Sequence, residues 1–165
     1  MVRLCTEQGL EAEEGDVLVY LESLEAGSVD GVVSFHVIEH LPSQVTATLV
    51  HLAWRALEPA GVLILETPNP LSVFVAASSF WRDPTHLRPI HPDALKLSFE
   101  LAGFERVERR LLRPFGADER LPEIDLNGLK GQARTLGQGI NELRDKLDET
   151  LFGYQDYAMI GIKSR

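Results

Sequence analysis

The stretch Gly31 to Gln44, "GVVSFHVIEHLPSQ", holds the point where the chain passes from one kind of element to another. With the two residues before it, 29–37 reads "VDGVVSFHV", mostly β-branched or aromatic, between Gly27 and Pro42. A near-continuous apolar run of this length reads as a strand covered on both faces, as in a parallel sheet. Polar side chains then arrive together, at His36, Glu39 and His40, before Pro42 breaks the run and Ser43 offers a cap for a following helix.

The rest of the chain organises around that strand. Val45, Leu49, Leu52, Ala53 and Ala56 follow helical spacing, and Glu58-Pro59-Ala60-Gly61 ends the helix. "VLILET" is a second buried strand, broken by Pro68 and Pro70. Residues 68–92 are irregular and proline-dotted. "HPDALKLSFELAGF" is a helix with Pro92 in its first turn and Gly103 at its end, and "FERVERRLL" alternates like a strand. Leu129, Leu136, Ile140, Leu143, Leu147 and Leu151 form the stripe of an amphipathic helix. That stripe is expected to pack on its own domain, with a dimer seam as the alternative. "YQDYAMIGIK" closes as a strand. Strands alternating with helices imply an α/β layered domain with a mostly parallel sheet and one reversed strand at the end of the chain. Residues 1–165 read as one domain, with 114–151 a helical insertion before the last strand.

Composition narrows the function classes. The 165 residues are 44% hydrophobic, enough for one sizeable core. Twenty-five acidic against 16 basic residues give a net charge of -9, which argues against nucleic acid as a partner. The single cysteine, Cys5, excludes an internal disulfide and suits a reducing compartment. "LSVFVAASSFW" is too short to cross a bilayer, and the first sixteen residues lack the basic-then-apolar order of a signal peptide. The expectation is a cytoplasmic protein with no membrane association.

His36, Glu39 and His40 have the His-x-x-Glu-His spacing of some zinc hydrolases, in which both histidines share one helical face. Here His36 falls in the strand pattern. In extended backbone it would stand ~13 Å from His40, too far for one ion to bridge. The zinc hydrolase reading through His36 and His40 is therefore the minor alternative, and no metal is expected. In open parallel sheets ligands bind beyond the carboxyl ends of the strands. Residues 36–40 and "ETPNP", Glu66 to Pro70, occupy two such ends.

"GDVLVYLESLEAGSVDGVVSFHVIEHLP" followed by "LVHLAWRALEPAGVLILETPNP" resembles the class I S-adenosylmethionine-dependent methyltransferases. The likeness runs from about Glu11 to Gly103, with Ala60 standing where the family's Leu-x-Pro-Gly-Gly turn has its first glycine. It implies an incomplete Rossmann-like sheet with helices on both faces, and S-adenosylmethionine as cofactor. It also implies that Asp16 contacts the adenine amino group, that Val17 lies beside that ring, and that Ser34 to Glu39, including His36, run beside the methionine part. The family's opening strand, Gly-x-Gly turn and ribose-binding acid have no match before Asp16. Loss of the two charge-assisted hydrogen bonds from that acid means about 3–6 kcal/mol, so cofactor binding is expected to be weak or lost. The strand at 29–37 is then expected at an uncovered sheet edge. A homodimer is favoured to cover it, or else a separate subunit carrying the N-terminal half.

In the resemblance, "SFWRDPTHLRPIHPDAL", Ser79 to Leu95, forms the acceptor pocket. It is most like enzymes acting in glycan synthesis, which implies O-methylation of a sugar, glycan or other small-molecule acceptor. That reaction needs a base near pH 7, a role a histidine can fill. His86 is the candidate, with Asp83 orienting it. Asp83-Pro84 can equally start a turn, and Asp83, His86 and His91 could together hold a divalent ion. The alternative to an enzyme is a non-catalytic, oligomeric scaffold derived from a methyltransferase.

Overall fold

The computed structural model describes residues 2–164. Helices α1 (Val2–Glu7) and α2 (Val17–Ser23) precede strand β1 (Val29–Phe35). Helix α3 (Ser43–Ala56) leads into β2 (Leu57–Pro68), and α4 (Val73–Ala77) and α5 (Pro92–Ala102) lead to β3 (Arg106–Pro114). Helix α6 (Gly131–Leu151) then runs to β4 (Tyr154–Ile162). The four strands form one sheet in the order β1-β2-β4-β3. β1 and β2 are parallel, and β4 is antiparallel to both its neighbours. Three strands therefore run one way, and the strand nearest the C-terminus inserts reversed between β2 and β3.

Register sets which side chains share a face. Leu63, Leu65 and Thr67 lie opposite Gly161, Met159 and Tyr157. This face meets Leu49, Val50 and Ala53 of α3 and Leu95 and Phe99 of α5 in a single apolar core. β4 passes directly beneath two rings: a Cβ at Gly161 would fall 2.5 Å from Phe99 and 2.8 Å from Phe104. α5 starts at Pro92 and stops at Gly103, whose φ of 108° places it in the left-handed region that ends helices.

Three local expectations change. β1 stops at Phe35 rather than at residue 37, because His36 takes φ 53° and turns the chain out of the ladder. Pro42, not Ser43, stands at the cap of α3; Ser43 is its first helical residue, and no cap side chain bonds the helix start. The α6 stripe does not pack on its own domain: Leu136 is 67% exposed and Leu143 58%, with Ile140 and Leu147 also exposed. The inward side of α6 carries Gly137, Asn141 and Asp148 instead. Asn141 accepts from Ile124 N at 2.9 Å and donates to Ile124 O at 3.0 Å, and Asp148 accepts from Leu121 N at 2.9 Å. An extended segment laid on a helix needs partners for its backbone groups, and polar side chains supply them where leucines cannot.

β1 is an edge strand, with Val33 57% and Phe35 56% exposed. Among the described residues no helix is long and apolar enough to cross a membrane.

Candidate functional site

Because β1 and β2 are parallel neighbours, their carboxyl ends lie along one edge of the sheet, and the start of the reversed β4 comes to the same edge. His36 follows β1, Glu39 sits in the 3-10 turn Ile38–His40, Glu66 and Thr67 lie near the end of β2, and Asp156 lies near the start of β4. His36 is held in its left-handed conformation by a ladder bond from its N–H to Glu66 O, 3.0 Å. The turn it makes brings Glu39 back to the Nδ1 edge of its ring.

The imidazole of His36 stands among three carboxylates. Nδ1 is 3.2 Å from Glu39 Oε1, and Nε2 is 3.3 Å from Glu66 Oε1 and 3.9 Å from Asp156 Oδ1. Glu39 is wholly buried at 0% exposure, and its second oxygen accepts from the Thr67 hydroxyl at 3.1 Å. Asp156, 1% exposed, pairs through Oδ2 with Arg113. That hydrogen bond raises Arg113 above its ordinary value. Buried carboxylates persist only when paired or hydrogen-bonded, and here the partners come from the ends of β1, β2 and β3.

His86 approaches from the irregular segment. Its Nδ1 lies 2.6 Å from the carbonyl oxygen of Phe80. A carbonyl only accepts, so Nδ1 carries the proton and Nε2 presents its lone pair. The ring packs against Phe80 at 4.4 Å and His40 at 4.7 Å between centroids. Nε2 is 4.0 Å from both Glu39 Oε1 and Asp83 Oδ2. Neither contact is a hydrogen bond, so the Phe80 carbonyl, rather than Asp83, fixes the ring. Asp83 accepts at Oδ1 from the Thr85 hydroxyl at 2.6 Å and from Thr85 N at 2.8 Å. These bonds, the hydroxyl's first, hold its carboxyl below the usual carboxylate range. His36, Phe80, His86, Arg113 and Asp156 together line a cleft of about 210 Å³.

The remaining predicted residues lie apart. Asp16 caps α2, its Oδ1 accepting from Leu18 N at 2.8 Å and Val19 N at 3.1 Å. It shares a cleft of about 550 Å³ with Val17, Tyr20, Glu11, Glu13 and Glu14. Ser34 lies in β1 opposite Leu65, on the core-facing register. His36 and His40 do not converge: His36 groups with Glu66 and Asp156, and His40 with Glu39 and His86. His91 accepts from Asp93 N at 3.2 Å at the start of α5, and belongs to neither group.

Asp156, Arg113 and Thr67 were missed in the sequence. The usable signal was Asp156, the only acid within the otherwise apolar "YAMIGI" strand and its approach. Arg113 gives no such signal, since it lies among several arginines of β3.

Residues 6–109 match a family model described as a methyltransferase domain. Over 82 residues the chain is 40% identical to a Mycolicibacterium smegmatis protein described as a probable S-adenosylmethionine-dependent methyltransferase. That match takes in 50% of this chain and only 31% of the relative. The crystal structure of a SAM-dependent methyltransferase from Archaeoglobus fulgidus is 31% identical, with a TM-score of 0.84 over 98% of this chain and 80% of that one. A phosphoethanolamine N-methyltransferase of Haemonchus contortus, solved with S-adenosyl-L-methionine, shares the fold at 15% identity, with a TM-score of 0.55 over 91% of this chain and 36% of that one.

Proposed function

Because the chain belongs to the class I S-adenosylmethionine-dependent methyltransferases, we propose that it directs methyl transfer to a hydroxyl of a sugar, glycan or other small polar acceptor. The observation that carries this reading is the Nε2 of His86, presented as a lone pair beside the cleft it shares with His36. S-adenosylmethionine, the cofactor of the family, supplies an electrophilic methyl group on a sulfonium.

Asp16 and Val17 would hold the adenosine end, and the backbone of the segment from Ser34 through His36 to Glu39 would run beside the methionine end. The cleft beside Asp16 fits such a group in chemistry. It carries Glu11, Glu13 and Glu14 beside the Tyr20 ring, a lining that suits a cationic nucleoside and repels a polyphosphate. His86 takes the acceptor's proton at Nε2, the Phe80 carbonyl keeps Nδ1 as the donor, and the carboxylate of Glu39 at 4.0 Å stabilises the imidazolium that forms. Asp83 adds a second carboxylate at the same distance.

Calorimetry with S-adenosylmethionine and transfer of labelled methyl to free and nucleotide-linked sugars test this reading. Measurable but weak binding, in the high-micromolar to roughly millimolar range, with transfer lowered roughly 10²- to 10⁴-fold in His86→Gln, is expected, and binding tighter than about 100 μM would argue against the scaffold outright. Absence of both binding and transfer would favour the non-catalytic scaffold. Transfer unchanged in His86→Gln would remove the base.

A further inference from the structure

Three acceptor atoms from three separate elements meet beside the cleft that His36 and Asp156 share with His86. His36, Glu66 and Asp156 each offer one ligand atom, and the three lie within 4.8 Å of one another. The ring that brings the nitrogen there is set from its far side. Nδ1 faces Glu39 Oε1 at 3.2 Å, and Glu39 is itself buried and held by the Thr67 hydroxyl. When Nδ1–H donates to that carboxylate, the neutral ring presents Nε2 as a lone pair. That lone pair points at two carboxylate oxygens, 3.3 and 3.9 Å away. Electron pairs so placed repel one another unless a cation lies between them.

We propose that His36, Glu66 and Asp156 bind a divalent first-row cation. Ligand atoms ~2.1 Å from an ion stand roughly 3–3.5 Å from each other; Nε2 and Glu66 Oε1 already stand so at 3.3 Å, and Asp156 Oδ1, at 3.9 Å, closes on the ion by a side-chain adjustment. Glu39 supplies the outer carboxylate that orients a metal-bound imidazole, and it does so from a site with no solvent exposure. Arg113 occupies Oδ2 of Asp156 and leaves Oδ1 as its single ligand atom. One imidazole nitrogen with two carboxylate oxygens, and no thiolate, selects Mn²⁺ or Zn²⁺ over softer ions. The side chain of His36 is 40% exposed, which leaves the ion a way in. His36 and Asp156 also line the cleft, so an acceptor hydroxyl there could complete the coordination and be acidified by it. That consequence rests on the methyl-transfer reading; binding of the ion does not.

The alternative occupant of the triangle is a proton on Nε2. Titration of the metal-free full chain separates the two, with Mn²⁺ followed by the electron paramagnetic resonance of the free ion and Zn²⁺ by calorimetry, both without S-adenosylmethionine. The expected result is one equivalent bound with a Kd below about 100 μM. Glu66→Gln and His36→Asn should each weaken it at least tenfold, and Glu39→Gln by roughly 10- to 100-fold. Asn tolerates the backbone of residue 36, so His36→Asn removes the ring without forcing the turn; circular dichroism confirms the fold. Glu142→Gln, on the exposed face of α6, should change nothing. No binding at millimolar metal, or binding indifferent to Glu66→Gln and His36→Asn, overturns the proposal. Because the readout uses no cofactor or acceptor, failure of methyl transfer leaves the result unaffected.

Discussion

The hydroxyl of Tyr157 donates to the backbone carbonyl of Ile90 at 2.9 Å, inside the core. It joins the middle of β4 to the segment that leads into α5. Burial, and secondarily the negative charge of Glu39, pushes this phenol above its ordinary value near 10. A group whose folded value is raised contributes stability that is complete below its unfolded value and lost as pH rises through the folded one. Stability should therefore fall above about pH 10, by up to about 1.4 kcal/mol per pH unit for this one proton. Tyr157→Phe should cost about 1 kcal/mol at neutral pH by orphaning the Ile90 carbonyl, and should flatten the alkaline decline by one proton. Denaturant titrations between pH 9 and 11 read both effects; equal slopes in the two proteins would exclude Tyr157 as their cause.

Ala60 takes φ 70° near the start of β2, with its N–H bonded to Lys163 O at 3.0 Å. A Cβ in the left-handed region costs roughly 1–2 kcal/mol, which glycine avoids at some cost in chain entropy. Ala60→Gly should stabilise the protein by about 1 kcal/mol, seen as a higher denaturant midpoint with an unchanged slope. A lower midpoint would mean that the methyl group packs more usefully than the backbone suffers.

The Asp16 carboxylate has two separable duties, one at the start of α2 and one proposed toward adenosine. Asp16→Ala should lose both, the cap contributing about 1 kcal/mol. Asp16→Ser keeps a capping oxygen but withdraws the carboxylate, so helix and stability should survive while adenosine affinity falls. Full affinity in Asp16→Ser would confine this residue to its helix.

We propose that the chain forms a homodimer. Val33 and Phe35 on the edge strand and the leucine stripe of α6 offer two apolar surfaces, and exposed edges pair readily with other chains. Light scattering should give twice the monomer mass at micromolar concentration. Val33→Lys, or Leu136→Glu with Leu143→Glu, should return the monomer, according to which surface is used. A single monomeric species at every concentration would refute it.

The sheet was legible because β1, β2 and β4 are largely apolar, β3 alternates, and the helices are punctuated: Pro92 and Gly103 bracket α5 as the sequence indicates. The reversal of β4 followed from its place at the end of the chain. The α6 stripe misled because periodicity says which residues share a face, not whether that face is turned inward. That was decided by Asn141 and Asp148 bonding the backbone of residues 121–124. At the site, His36, Glu39 and His86 could be read from their position after strands and within the polar cluster. The company they keep could not, because Asp156 and Thr67 reach them through register, and Arg113 does so from the end of β3, 77 residues beyond His36 in sequence.

His36 and Arg113 share one further property: both have φ 53°, at the ends of β1 and β3, and both reach Asp156. Glycine and asparagine fit such a backbone better than arginine does, and glycine better than histidine. Each position is under two opposed demands, one from the local conformation and one from the buried carboxylate. Should a lineage cease to need the site, the backbone's demand alone would remain. Drift at 36 and 113 would then run toward glycine and asparagine, and Asp156, relieved of its partners, would give way to an apolar residue. The identities at these three positions would record whether a descendant still uses its site.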